Sequence, residues 1–231
     1  MTDITRERTR LYLITPSSVP DVAAFAKTFE GALEGGDVAS LQVRIKPDGL
    51  VDEAATEAVA RALLPICREQ DVALIINDSV DVCEKVGADG VHLGALDMRV
   101  KDARKRLGKQ PIIGATAKNS RHVAMEAGEQ GADYVAFGAF FPSETKADTV
   151  PADTELLTWW QAVMELPCVA IGGITAERAR ELSAAGADFL AVSAGVWAHP
   201  DGPAAAVRAF NAALDEAADA IAAYNPHRPR P

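Results

Sequence analysis

The chain has 231 residues, 48% of them apolar and 24% charged, with a formal net charge of −10. That length suits one domain and is too short for a barrel with a second domain attached. The negative balance argues against nucleic acid, which needs clustered Lys and Arg; an anionic substrate must instead be held by local cations, helix termini or a metal.

Eight short apolar runs rich in β-branched residues each precede a helix-patterned stretch. They are Leu11–Thr15, Leu41–Arg44, Ala73–Ile76, Val91–Leu93, Ile112–Ala115, Tyr134–Phe137, Val169–Ile171 and Phe189–Val192. This order predicts a closed parallel (β/α)8 TIM barrel of the α/β class over residues 1–220, whose active site lies at the C-terminal strand ends. Residues 221–231 read as a Pro-rich tail that frays. The helical spacing is explicit at Ala55, Val59, Ala62, Leu63 and Ile66, and again at Val207, Phe210 and Leu214.

No signal peptide is expected, because the first ten residues mix charges with Thr and Met and contain no apolar run. No run approaches the roughly 20 apolar residues of a membrane span, so a cytoplasmic protein without a membrane partner is expected. Cys67, Cys83 and Cys168 have no paired spacing and read as small buried hydrophobes. Trp159, Trp160 and Trp197 read as helix and loop packing. Gly-Ala-Asp occurs at Gly87–Asp89, Gly131–Asp133 and Gly186–Asp188, each time before a strand. The Gly suits a helix C′ position. The Asp then lies at the bottom of the barrel and is expected to be a structural turn residue.

The rim is different. In Leu41–Lys46 alternation sends Leu41, Val43 and Ile45 to one face and Gln42, Arg44 and Lys46 to the other. The outer face of a barrel strand meets helices, so the polar stripe is predicted to point into the mouth. Two cations there are costly without a partner. That partner is either an anion such as diphosphate, suited to an Arg fork and a Lys point charge, or a carboxylate on a neighbouring strand.

Asn77 and Asp78 end the third strand, and Asp97 follows the fourth. Two acids from adjacent strand ends fit one Mg²⁺ shared with phosphate oxygens and water; alternatively Asp78 caps the helix starting near Val80. Ser143, Thr145 and Lys146, after the sixth strand, read either as a hydroxyl-rich phosphate lid or as an exposed loop. Gly172 and Gly173 end the seventh strand, with Thr175 as the expected N-cap beyond them, and Val192–Gly195 closes the eighth; together these suit a monophosphate cup. His92 reads as a hydrogen-bonded interior histidine.

The chain resembles the thiamine-phosphate synthase family over roughly Leu11 to Leu214. The resemblance rests on Gln42-x-Arg44-x-Lys46, Asn77-Asp78, Ala88–Gly94 with Asp97, Gly114-x-Thr116, Phe141–Lys146, Ala170–Ile174 and Val192–Ala194. It implies a transferase that joins a hydroxymethylpyrimidine diphosphate to a thiazole phosphate. Arg44, Lys46, Asn77 and Lys146 would hold the diphosphate, and Asp78 and Asp97 the Mg²⁺. Gln42 and Thr116 would contact the pyrimidine substrate or its diphosphate. Ser143, Thr145, Gly173, Val192 and Ser193 would hold the thiazole phosphate.

The chain departs from the family's usual residues at Ser79, at Ala95–Leu96 (usually polar, beside the metal acid), at Lys118 and at Ser143. Competing readings are a thiazole tautomerase, whose His corresponds to Lys118, and a non-catalytic barrel that binds a thiamine precursor. The expected partners are small phosphorylated molecules. The oligomeric state is open, with a homodimer compatible.

Overall fold

The computed structural model describes residues 7–142 and 151–224. Eight parallel strands close into one barrel in sequence order, each hydrogen-bonded to its chain neighbours and β8 to β1. The strands are β1 (Arg10–Ile14), β2 (Ser40–Val43), β3 (Ala73–Asn77), β4 (Gly90–Leu93), β5 (Ile112–Lys118), β6 (Tyr134–Gly138), β7 (Cys168–Ile171) and β8 (Phe189–Val192). Helices α1 (Val22–Leu33), α2 (Glu53–Glu69), α3 (Val80–Val86), α4 (Val100–Leu107), α5 (Arg121–Glu129), α6 (Thr154–Val163), α7 (Ala176–Ala185), the short α8 (Ala194–Trp197) and α9 (Pro203–Tyr224) alternate with them. The expected TIM barrel is therefore present. The last helix continues to Tyr224 rather than stopping near 220, and residues 225–231 lie outside the described residues. No described helix is long and apolar enough to cross a membrane.

Alternation divides the core in two. The outward sides of the strands, including Leu41, Val43, Leu74, Ile76 and Leu190, pack against helix residues such as Phe29, Leu63, Leu182 and Phe210. Burying each such side chain is worth about 1.5–3 kcal/mol. Inside the barrel Tyr12, Ile14, Tyr134, Ala136, Val169 and Ala191 form a second cluster. Gly114 makes room there, since a Cβ at that position would lie inside the Tyr134 ring. Trp160 is buried against Phe137 and donates to the Leu166 carbonyl. Trp197 packs on Phe25 and donates to the Ile14 carbonyl. Both are packing residues, as expected.

The three Gly-Ala-Asp turns make one device repeated. Gly87 and Gly131 have positive φ of 68° and 97°, and Gly186 receives its place from backbone bonds to α7. Each following Asp then grips one residue of the preceding strand twice. Asp89 N–H donates to the Leu74 carbonyl while its carboxylate accepts from Leu74 N–H; Asp133 does the same to Ile113, and Asp188 to Cys168. Asp133 also pairs with Arg104. These aspartates sit at the bottom face and are structural.

Candidate active site

The stripe on β2 points inward as the alternation requires. Gln42 is buried and donates from Nε2 to the Tyr12 hydroxyl at 3.0 Å. Arg44, one residue past the strand, is half-buried; its backbone N–H donates to Thr15 Oγ1 at 2.9 Å. Burial pulls the Arg44 pKa down, against the opposing field of Asp78. Among the described residues its guanidinium has neither an ion-pair nor a hydrogen-bond partner. Lys46 differs: its ammonium pairs with Asp78, so the carboxylate alternative applies to Lys46 and not to Arg44.

Asp78 does not cap α3. Ser79 does, its hydroxyl accepting from Val82 N–H and donating to Glu53. Asp78 instead takes a left-handed conformation, φ 64°, which aspartate tolerates better than most residues. That turn sends its carboxylate towards the mouth. Its Oδ2 is buried and, apart from the Lys46 ion pair, accepts no hydrogen bond of good geometry among the described residues. Asp97, from the turn after β4, accepts from Gly94 N–H at 2.7 Å. Burial first, and then the neighbouring Asp78 carboxyl, raise its pKa from the usual aspartate value. Two acids pressed together around an under-bonded buried oxygen form a place that a cation would relieve. Among the described residues no group of three or more His, Cys, Asp or Glu gathers. The pair thus has the chemistry of a Mg²⁺ site, which needs only one or two carboxylates besides phosphate and water, rather than of a closed zinc site.

Asn77 is buried at the end of β3, opposite His92 of β4. His92 bonds through Nδ1 to the Tyr134 hydroxyl at 3.0 Å and through Nε2 to Thr116 Oγ1 at 2.8 Å. It is the interior histidine expected. Thr116 is half-exposed at the mouth. Leu96 is fully exposed, so its side chain projects into solvent rather than at the two acids. Ala95 lines a cleft of about 140 Å³ beside the rim, together with Asp97 and Thr116.

On the opposite arc Gly172 and Gly173 leave β7 with φ of 105° and 61°. They lie against the backbone of Ala139–Pro142: Phe140 N–H donates to the Ile171 carbonyl and Phe141 N–H to the Gly172 carbonyl. Val192 is buried at the end of β8. Ser193 precedes α8, and its hydroxyl donates to the Thr15 carbonyl at 3.3 Å. Thr15 therefore ties Ser193 of the glycine arc to Arg44 of the cationic arc. No role for it was foreseen; the signal was a hydroxyl ending an otherwise apolar strand. Thr175 stands at the N-cap position of α7 without capping it through its side chain; it bonds Glu177 instead, which lowers that carboxyl's pKa. Ser143, Thr145 and Lys146 lie outside the described residues. A separate depression of about 740 Å³ opens at the bottom of the barrel. Its Arg8 and Arg10 are paired with Asp215 and Asp37.

Residues 11–196 match the family described as thiamine monophosphate synthase. The chain belongs to that family. Among relatives of this synthase family, the thiamine-phosphate synthase of Hyphomonas neptunium is 61% identical over 92% of this chain and 97% of its own. That of Rhodospirillum centenum is 55% identical over 87% and 96%. A solved thiamine phosphate pyrophosphorylase from Pyrococcus furiosus superposes with a TM-score of 0.77 at 32% identity, covering 92% of this chain and 98% of its own. Within the synthase family's motifs, Gln42, Arg44, Lys46, Asn77, Asp78, Asp97, Thr116, Gly173, Val192 and Ser193 all stand at C-terminal strand ends or in the turns that follow them.

Proposed function

We propose that this chain is an active thiamine-phosphate synthase, a cytoplasmic transferase. It joins hydroxymethylpyrimidine diphosphate to thiazole phosphate, giving thiamine monophosphate and free diphosphate. The observation that carries this reading is Arg44: a half-buried guanidinium, unpaired among the described residues, beside a Lys–Asp–Asp cluster. Such a charge is stable in a barrel mouth only if an anion visits it.

Asp78 and Asp97 would hold Mg²⁺. When bound, the ion supplies charge neutralisation on the diphosphate oxygens. The chain's own residues do the rest. Arg44, Lys46 and Asn77 grip the diphosphate as the carbon–oxygen bond to the pyrimidine methylene breaks. The electron pair leaves with the diphosphate, and the aminopyrimidine ring delocalises the positive charge left behind. Donors aimed at those oxygens bind the departing group more strongly than the intact ester. One cation 4 Å from a full charge is worth about 4 kcal/mol at an effective dielectric of 20. The thiazole nitrogen then donates its lone pair to the methylene carbon. Gly173, Val192 and Ser193 hold its phosphate; the family resemblance would add Ser143 and Thr145 there and Lys146 at the leaving diphosphate. No protein nucleophile is required; positioning of two substrates suffices.

The test is diphosphate release from the two substrates, titrated with Mg²⁺. Wild-type protein should show Mg²⁺-dependent release, and Asp78→Asn should abolish it or shift the Mg²⁺ requirement by at least tenfold. Absence of release by the wild-type protein would refute the enzyme; an unchanged Mg²⁺ titration in Asp78→Asn would remove Asp78 from the metal site.

A further inference from the structure

The ladder between β1 and β2 changes character at its last residue. A strand residue sends its N–H and its carbonyl to the same flank, and successive residues alternate flanks. Thr15 N–H donates to the Gln42 carbonyl at 3.0 Å, so in a regular ladder the Thr15 carbonyl would accept from Arg44 N–H. Arg44 N–H donates instead to Thr15 Oγ1 at 2.9 Å. The Thr15 carbonyl has turned to the β8 flank, where it accepts from the Ser193 hydroxyl at 3.3 Å. The carbonyl before it, of Ile14, accepts from Trp197 Nε1 at 2.6 Å. Two successive carbonyls thus face α8 and the residue that opens it, which a regular pleat does not allow.

The Thr15 hydroxyl therefore stands in for its own carbonyl. Two residues further along each segment, Lys46 N–H donates to the Ser17 carbonyl at 2.9 Å. The rungs at Gln42, Arg44 and Lys46 form an unbroken row, and the middle rung is a side chain. Thr15 is buried, so water is a poor substitute for that rung. A short hydroxyl side chain can take a neighbouring backbone donor in this way. Valine has nearly the same shape and cannot. With valine at this position one carbonyl would face two donors on opposite flanks, and turning to either would mean leaving the other.

We infer that Thr15 is a positioning residue for both arcs of the rim. Its hydroxyl fixes the backbone that carries Arg44, and this frees its carbonyl to fix the Ser193 side chain. Arg44 lies one residue past β2, where no sheet bond other than this one holds its N–H. A guanidinium carried on slack backbone loses its aim at a developing charge, and a misplacement of about 1 Å can cost about 10²-fold in rate. Removing the hydroxyl sets the two arcs in competition for one carbonyl. The inference rests on the synthase reading for what the arcs bind, but not for the exchange of rungs.

The rungs are tested without turnover, by amide hydrogen exchange at Arg44 resolved by NMR. In Thr15→Val that amide should exchange about tenfold faster than in the wild-type protein, while Thr15→Ser, which keeps an oxygen within reach, should stay within about twofold. In Thr15→Val combined with Ser193→Ala the carbonyl has lost its competing donor and can turn back to β2, so protection should return. Unchanged exchange in Thr15→Val, or no recovery in the double variant, overturns the inference whether or not the chain is an active synthase. In turnover, Thr15→Val should lower kcat about tenfold, a partial form of losing Arg44. The KM for thiazole phosphate should stay within about twofold, because Ser193 keeps its carbonyl, and Thr15→Ser should restore kcat. A rise in that KM matching the fall in kcat, or no rescue by serine, would refute the positioning role. Wild-type protein without turnover would refute the synthase reading and leave the exchange measurement to decide the rungs.

Discussion

Gly173→Ala isolates the glycine arc. At φ 61° an alanine pays roughly 1–2 kcal/mol for the left-handed conformation alone. The added Cβ would also stand 2.8 Å from the Phe141 carbonyl oxygen and 2.9 Å from Phe141 Cβ, and closer still to the Pro142 oxygen. Ordinary contact begins near 3.4 Å, so two backbone segments must separate; overpacking of this kind costs about 1–3 kcal/mol. The sum, roughly 2–5 kcal/mol, corresponds to a fall in Tm of about 4–20 °C for a chain of this size. Gly49→Ala is the control: its φ is 82° but nothing lies within 4 Å of the added carbon. It should show the conformational part alone, a fall of about 2–8 °C. Displacing the cup by about 1 Å should also lower turnover about 10²-fold, with the loss centred on the thiazole phosphate. The measurements are thermal unfolding and steady-state kinetics with each substrate varied. Equal Tm shifts in the two variants, or an unchanged response to thiazole phosphate in Gly173→Ala, would refute the assignment of this turn.

Arg44→Ala should lower kcat about 10²–10³-fold, as for the loss of one donor to a developing charge; a change in KM alone would make Arg44 a tether. Lys146→Ala should do the same, read by single-turnover diphosphate release. The metal pair sets a pH dependence. Because the folded state raises the Asp97 pKa, folding favours the protonated form, and this residue's contribution to stability improves as pH falls from neutral through the raised value. It stops improving below the usual aspartate range, where the unfolded chain is protonated as well. Asp97→Asn should therefore raise Tm at pH 7 without Mg²⁺. Mg²⁺ at a hundredfold excess over its Kd should stabilise the wild-type protein by about 2.7 kcal/mol, and that gain should vanish in the variant; a variant that keeps it would exclude Asp97 as a ligand. Burial pushes the Cys67 thiol up to about 12 and Cys83 up to about 11. Both should resist a disulfide reagent at pH 8 until the protein unfolds, and rapid labelling of the native protein would contradict their packing.

The strands were legible because a parallel barrel buries both faces of each one, which leaves continuous apolar runs. Their ends were less so. A bulge between Thr116 and Lys118 carries β5 beyond Ala115, and nothing local marks a bulge. The cationic stripe could be read because Gln42, Arg44 and Lys46 share one parity in a strand whose other parity is apolar. Tyr12 and Tyr134 share an inward parity too, but a tyrosine in an apolar run reads as core until its hydroxyl finds a partner 122 residues away. The cap of α3 went to Ser79 rather than Asp78 for a similar reason. Either residue is a good cap, and Asp78 is instead paired with Lys46 from the turn after β2. The bottom-face aspartates were placed correctly by position, while the residues they grip, 15 and 20 residues upstream, follow only from the closed sheet.

Those grips also divide the barrel unevenly. Asp89 joins β4 to β3, Asp133 joins β6 to β5, and Asp188 joins β8 to β7; the Arg10–Asp37 bridge does the same for β1 and β2. Under the strands each of these pairs is thus held by a two-bond carboxylate grip, while single contacts run from one pair to the next: the Asp89 carbonyl accepts from Ile112 N–H, the Asp188 carbonyl from Arg10 N–H, and Asp133 pairs with Arg104 of α4. A gene split between Leu107 and Ile112 leaves every two-bond grip within one half and the Arg104–Asp133 pair between the halves, so the two should reassemble when co-expressed. A split between β3 and β4, or between β5 and β6, parts an aspartate from its grip and should yield fragments that do not find each other.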